Sequence, residues 1–252
     1  MRVLLLSDIH ANLEAMEACL AVAPPCDAIV NLGDIVGYGA SPNEVTERSR
    51  RLGGLFVRGN HDKACSGVTS YEGFNPIAGI AVLWTRTMLR PELTKWLYDL
   101  PQGPRTLEEL PGVRFVHGSP HDEDEYLLAL DEAAHAMDGA DAPVIFFGHT
   151  HVQGGFLLGN GRDSAILRPA YRTKDDKELF NYQLLPGRRY LINPGSIGQP
   201  RDGDWRAAFA IFDSEARRVT YIRVPYDVAG AQKRIREAQL PERLAGRLGM
   251  GR

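Results

Sequence analysis

Val3-Leu4-Leu5-Leu6-Ser7-Asp8-Ile9-His10 opens the chain with four consecutive apolar residues that run into a carboxylate and an imidazole. A short continuous apolar run reads as a strand covered on both faces. The same arrangement, a buried strand and then residues of metal-ligand type, recurs four times. Ala28-Ile29-Val30 leads to Gly33-Asp34, and Leu55-Phe56-Val57 leads to Gly59-Asn60-His61-Asp62. Val113-Arg114-Phe115-Val116 leads to His117, and Val144-Ile145-Phe146-Phe147 leads to Gly148-His149-Thr150-His151. Between the first three strands lie two helical stretches. One covers 11–22. The other starts at Ser41-Pro42-Asn43-Glu44, where Ser41 is expected to cap, Pro42 to occupy the first turn and Glu44 to close a capping box. Strand and helix alternating over the first third predict an α/β fold with parallel pairing.

The remainder has a different texture. Helices are predicted from Asn75-Pro76 to about 89, from Arg90-Pro91 to about 100, and over 131–137. From Gly155 onward, short apolar runs separated by Gly, Pro and Asn read as antiparallel strands near 156–158, 165–167, 190–192, 207–212 and 218–224. Residues 171–185 read as a charged surface loop or hairpin, and 227–248 as an amphipathic helical tail. A length of 252 residues suits one domain over 1–252.

Composition narrows the function classes. A hydrophobic fraction of 44% and a charged fraction of 24% exclude a disordered chain or a coiled coil. No apolar run is long enough to cross a bilayer, and the N-terminus lacks a signal-peptide pattern. A net charge of −3 argues against general nucleic-acid or membrane-surface binding. Three cysteines, Cys19, Cys26 and Cys65, fit a reducing cytoplasm rather than a disulfide framework. The excess of Arg (24) over Lys (5) is expected to reflect genome base composition.

In α/β sheets ligands gather outside the carboxyl ends of the strands, so the five motifs are expected to meet at one edge of a sheet. Five of the seven histidines lie in them, which lifts them above isolated surface imidazoles. His135 is assigned to the surface and His121 is not expected in the cleft. If Asp8-Ile9-His10 stays extended, its first and third side chains point the same way and grip one ion. His149 and His151 share that spacing but need not share an ion. Carboxylate, imidazole and amide oxygen together suit Mn, Fe, Zn, Co or Ni. Seven such ligands exceed one ion's needs and suit two, a pairing that activates water against phosphoryl groups.

Together, Asp8-x-His10, Gly33-Asp34, Gly59-Asn60-His61-Asp62, His117 and Gly148-His149-x-His151 resemble the motifs of the calcineurin-like metallophosphoesterases. Asn193-Pro194-Gly195-Ser196 is similar to the small prokaryotic phosphodiesterase branch. The resemblance implies a four-layer α/β/β/α sandwich of two mixed sheets. It implies two divalent metal ions, manganese foremost, one on Asp8, His10 and His151 and one on Asn60, His117 and His149, with Asp34 bridging. It further implies in-line attack by a metal-bridging hydroxide, with His61 stabilising the transition state or protonating the leaving oxygen and Asp62 orienting His61. One departure matters. Where phosphoprotein phosphatases of the superfamily carry an Asp-Arg pair, this chain has Gly37-Tyr38. The resemblance therefore favours a phosphodiesterase acting on a small phosphodiester or nucleotide. A dinucleoside polyphosphate hydrolase or a phosphomonoesterase is the alternative, ahead of a protein-binding scaffold or a repair nuclease. Arg201 and Tyr38 are the candidate substrate contacts. Tyr38, the stretch from Asn75 and loops after Gly154 are expected to shape the cleft, and a homo-oligomer stays open.

Overall fold

A computed structural model describes residues 1–159 and 163–252. In chain order its first half comprises β1 (Arg2–Leu6), α1 (Leu13–Val22), β2 (Ala28–Asn31), α2 (Pro42–Leu52), β3 (Leu55–Phe56), α3 (Asn60–Ser66), α4 (Pro76–Met88), α5 (Pro91–Tyr98), β4 (Val113–Phe115) and α6 (Leu130–Ala136). Then follow β5 (Val144–Phe146), β6 (Gly154–Leu158), β7 (Ala165–Leu167), β8 (Glu178–Gln183), β9 (Arg189–Asn193), β10 (Ala207–Asp213), β11 (Arg218–Val224), α7 (Val228–Glu237) and α8 (Glu242–Leu248).

The strands form two mixed sheets, ordered β3-β2-β1-β10-β11-β8 and β4-β5-β9-β6-β7. β1, β2 and β3 pair in parallel, as do β4, β5 and β9, and the remaining pairs are antiparallel. The apolar run of β1 shows why the sheets stack. Val3 and Leu5 pack between the sheets with Phe115, Phe146, Tyr190 and Ile192. Leu4 and Leu6 turn to the other face, against Met16 of α1, Val45 of α2 and Ile235 of α7. A third apolar layer sets Ile145, Phe156 and Leu191 of the second sheet against Ala133 and Ala136 of α6. The order of layers is α/β/β/α, as the resemblance implied. Each fully buried Leu in such a layer contributes on the order of 1.5–3 kcal/mol.

Several local expectations are corrected. Ser41 stands at the start of α2, but its hydroxyl makes no capping bond, because the backbone there (φ −122°, ψ 53°) turns it away from the helix amides. The predicted tail is two helices, broken where Gln239 adopts φ 54° ahead of Pro241. Within 171–185 lies β8, the edge strand of the first sheet. Its alternation of half-buried and exposed residues, ending in a hydrogen-bonded ladder to β11, was hidden by its charge.

Candidate metal centre and active site

The five motifs meet at one end of the sandwich, but from both sheets. Asp8, Asp34 and Asn60–His61 follow β1, β2 and β3 of the first sheet, whereas His117 and His149–His151 follow β4 and β5 of the second. The expectation of one sheet edge is corrected accordingly: a continuous apolar strand tells that both faces are covered, not by what. The extended reading of Asp8-Ile9-His10 also fails. Asp8, His10, Ala11, Asp34, His149 and His151 all adopt positive φ, between 50° and 65°. Such residues persist only when their surroundings over-determine them. Here the loops clasp one another: the amides of Asp8, His10 and Ala11 donate to the carbonyls of Gly33, Asp34 and Ile35 at 2.9–3.0 Å. A Cβ on Gly59 would lie 2.2 Å from Asp34 Oδ1, so only glycine allows this approach.

Asp8, His10, Asp34 and His151 place ligand atoms within 4.8 Å of one another, and so do Asp34, His117 and His149, with Asp34 common to both groups. Asn60 Oδ1 lies 3.2 Å from His117 Nε2, which puts it beside the second group. Each of the four imidazoles is anchored from behind by a carbonyl, which can only accept. His10 Nδ1 donates to Val36 O (3.1 Å), His117 Nδ1 to Leu32 O (2.7 Å), His151 Nδ1 to Gln199 O (2.6 Å) and His149 Nε2 to Asp124 O (3.1 Å). The other ring nitrogen of each then faces the cluster, where it can offer a lone pair to a cation, the arrangement that fixes metal-binding tautomers. The Nε2 atoms of His10 and His151 approach to 2.9 Å. Two lone pairs at that distance repel unless a cation lies between them. This donor set of buried carboxylates, imidazoles and an amide oxygen fits divalent transition ions.

Electrostatics agree. Burial drives His10 and His151 well below the ordinary imidazole range, and pushes His149 down to about 3 and Asp8 up to about 7. Burial also opposes charge on His117 and Asp34, but their mutual attraction prevails: His117 rises to about 10 and Asp34 falls well below the carboxylate range. Without a cation, the site keeps one proton on His117 as its counter-charge to Asp34. Metal binding would displace that proton.

A family model described as the calcineurin-like phosphoesterase superfamily domain matches residues 1–217. The chain belongs to that superfamily. It is 42% identical to a metallophosphoesterase from Sphaerobacter thermophilus, whose crystal structure superposes with a TM-score of 0.83 over 100% of this chain and 99% of that one. An uncharacterized protein of Methanocaldococcus jannaschii is 39% identical over 259 residues, which cover 98% of this chain and 97% of the relative. A hypothetical protein from Pyrococcus horikoshii, 21% identical, shares the fold with a TM-score of 0.76 over 100% of this chain and 98% of that one.

Around this phosphoesterase centre, His61 sits in the first turn of α3 with its amide donating to Asp34 Oδ1 at 2.8 Å. Its ring packs against Tyr38, Phe74 and His10 at centroid distances of 4.3, 4.8 and 4.9 Å. Burial pushes it down to about 4. Asp62 does not orient this ring, which corrects the expectation. Its Oδ1 accepts from the amides of Ile35 and Val36, and its Oδ2 from Gly59 N at 3.1 Å, tying α3 to the Asp34 loop. His61 Nδ1 has no hydrogen-bond partner among the described residues. A Cβ at Gly37 would stand 2.4 Å from it, so the loop leaves no room there for the aspartate of the phosphoprotein phosphatases.

A cleft of about 420 Å³ adjoins the centre, walled by Tyr38, Asn60, His61, Phe74, Tyr126 and His149 among others. Tyr38 and Asn75 line it as expected, but the wall is continued by the segment that precedes α4 (Thr69, Ser70, Gly73, Phe74) rather than by the helical stretch from Asn75, and the loops after Gly154 line a different cleft. Tyr126, its ring tilted against His149 with centroids 3.9 Å apart, was missed because it lies in an acidic, patternless segment. Lys63 also lines the cleft and is held by Glu123 (3.0 Å) and Asp124 (2.6 Å). Arg201 reaches Tyr38, with Nη2 3.4 Å from its hydroxyl. His121 and His135 lie away from the cluster, their rings 6.0 Å apart. Asn193-Pro194-Gly195-Ser196 is more than a turn. Asn193 Nδ2 donates to Gly148 O (2.8 Å) and Thr150 Oγ1 (3.0 Å), and Ser196 Oγ donates to Asp8 O (2.8 Å), so the segment braces Asp8 and the loop that carries His149 and His151.

Proposed function

We propose that this chain is a dinuclear metal-dependent phosphodiesterase acting on a small phosphodiester or nucleotide. The observation that carries the reading is the pair of inward-facing ligand groups sharing Asp34. Asp8, His10 and His151 would hold one ion, Asn60, His117 and His149 the other, and Asp34 both. Manganese suits the mixed oxygen and nitrogen donors. Two such ions supply polarisation of the phosphoryl group and a water of lowered pKa. The protein's own share is orientation and proton delivery. His61, in the wall of the cleft, would stabilise charge or protonate the leaving oxygen, since an alkoxide leaves poorly. Arg201 supplies a cation for a non-bridging phosphate oxygen, and Tyr38 forms the wall between it and His61. The absence of room for an aspartate at Gly37 supports a diesterase over a phosphoprotein phosphatase. Three cysteines without disulfides suit a reducing, cytoplasmic setting.

The test is hydrolysis of bis-p-nitrophenyl phosphate and p-nitrophenyl phosphate by one Mn²⁺-loaded sample, with excess EDTA and His61→Ala as blanks. Diester turnover abolished by both blanks is the expected result. Monoester preference would replace the diesterase reading with a phosphatase, and no turnover with metal bound would favour a scaffold.

A further inference from the structure

A second cleft, with a volume of about 540 Å³, is lined by Arg201 and Asp202 of the 201–204 loop, by Val152 and Gln153, and by the β7–β8 connection. Arg201 ties it to the candidate metal centre. Its backbone amide donates to the carbonyl of the candidate ligand His151 (3.1 Å), and its guanidinium carbon lies 5.8 Å from the Tyr38 ring centroid. Its Nε is buried without a hydrogen-bond partner, and the guanidinium forms no salt bridge among the described residues. Removing a cation from water without a counter-charge is costly, so this arginine is poised for an anion.

The rest of the cleft repeats that imbalance. Its two carboxylates are already engaged by buried guanidiniums: Asp202 by Arg223, and Asp204 by Arg206 at 2.6 Å. Arg168 and Arg172 line the same cleft, exposed and without a salt bridge among the described residues. Among the described residues Lys174 reaches only the Gly203 carbonyl, at 2.6 Å. Four cations without carboxylate partners therefore face one concavity of a chain whose net charge is −3. An arginine-rich composition would scatter such charges rather than gather them beside the metal centre.

We propose that this cleft binds further phosphate of the substrate, so that the preferred substrate carries a polyphosphate chain. The scissile phosphate would sit at the ligand cluster, Arg201 would lie at the junction, and the next phosphates would rest on Arg168, Arg172 and Lys174. The inference rests on the phosphoesterase reading above. Arg suits this role because its planar fork binds phosphate oxygens in pairs.

The experiment measures inhibition of bis-p-nitrophenyl phosphate hydrolysis by orthophosphate, pyrophosphate, tripolyphosphate, ADP and ATP, at fixed free Mn²⁺. It compares wild type with Arg168→Ala/Arg172→Ala, two exposed positions whose loss spares the core. The expected result is at least tenfold tighter inhibition by tripolyphosphate than by orthophosphate, with most of that difference lost in the variant. ATP binding more tightly than tripolyphosphate would assign the source as a nucleoside polyphosphate; equal binding would assign it as inorganic polyphosphate. A flat chain-length series, or a variant with the wild-type series, overturns the inference, as does a single-stranded oligonucleotide that inhibits more strongly than tripolyphosphate. If the Mn²⁺-loaded chain hydrolyses no ester, the phosphoesterase reading fails on its own. Calorimetric titration of that sample with tripolyphosphate then decides the cleft: a tenfold weaker Kd in the variant supports it, and an equal Kd overturns it.

Discussion

On the proposed reading His61 would carry the chemistry that the ligand cluster cannot supply, and its surroundings define how it could do so. The ring is wedged between Tyr38 and Phe74, its amide is tied to Asp34, and no carboxylate touches its Nδ1. Orientation comes from packing rather than from an acid partner. Replacing the ring with an amide of smaller volume keeps the backbone bond to Asp34. His61→Asn should therefore lower kcat by roughly 10²–10⁴-fold, the usual contribution of a proton-transfer group, while Mn²⁺ stoichiometry by calorimetry stays at the wild-type value. Loss of metal along with activity would show that His61 acts through the ligands instead. Gly37 makes the complementary case. It adopts φ 91°, and a Cβ would meet His61 Nδ1 at 2.4 Å. Gly37→Ala should push the imidazole aside and reduce kcat more than KM, with a stability loss detectable by urea titration. A variant with wild-type kcat would mean that the ring has freedom the packing does not suggest.

At the scale of elements, the site is a set of strand-end loops held by a brace from another part of the chain. The 193–201 segment touches β1's loop through Ile197 N to Ser7 O (3.1 Å), Gly198 N to Asp8 O (2.9 Å) and Ser196 Oγ to Asp8 O (2.8 Å), and its Gln199 carbonyl holds His151 of the loop after β5. Asn193 adds the bonds to Gly148 and Thr150. Asn193→Ala leaves those buried partners unsatisfied, which costs about 1–3 kcal/mol, and frees the loop that carries His149 and His151. Mn²⁺ affinity should fall by roughly 10–100-fold, as for other groups that orient metal ligands from behind; calorimetry on the purified variant checks it, and unchanged affinity would reduce the segment to a turn. Much of this was legible in advance. Continuous apolar runs ending in Asp, Asn and His mark both the buried strands and the chemistry at their ends. The brace was not legible, because hydrogen bonds from Asn193 and Ser196 join residues some 45 and 188 positions away in sequence, and no local pattern records them. Nor was the division of the strands between two sheets, since Val3 and Leu4 look alike whether sheet or helix covers them.

Over the whole molecule, the buried site sets how folding responds to protons. In the metal-free chain, burial holds His10 and His151 well below their ordinary value of 6.5, His61 at about 4 and His149 at about 3. As pH falls from 6.5 toward 4, the unfolded chain takes up protons that these four folded imidazoles refuse, so stability declines. Asp8 and Asp62 act in the opposite sense. Burial raises both from 3.8 to about 7, so the folded chain keeps their protons over that interval and gains stability as pH falls. His117 is raised to about 10 and is protonated in both states below 6.5, so it contributes no slope in this window. Four imidazoles against two carboxyls leave a net loss toward acid. On the alkaline side His117 reverses the trend: its contribution is lost as pH rises from 6.5 through 10. The EDTA-treated chain should therefore be most stable near neutrality, with a urea midpoint that falls between pH 7 and pH 5. Metal deepens this dependence, because ions bind the deprotonated ligands of the folded state alone. At a free Mn²⁺ concentration one hundred times its Kd, each ion should add about 2.7 kcal/mol, or roughly 5–10 °C in Tm for a chain of this size. The increment from the ion on Asp8 should be present at pH 7.5 and largely lost at pH 5, because Asp8, raised to about 7, takes up a proton over that interval, whereas the folded imidazoles of His10, His149 and His151 stay deprotonated. A Tm increment that is equal at both pH values would place the bound ions away from Asp8 and would move the candidate centre elsewhere on the fold.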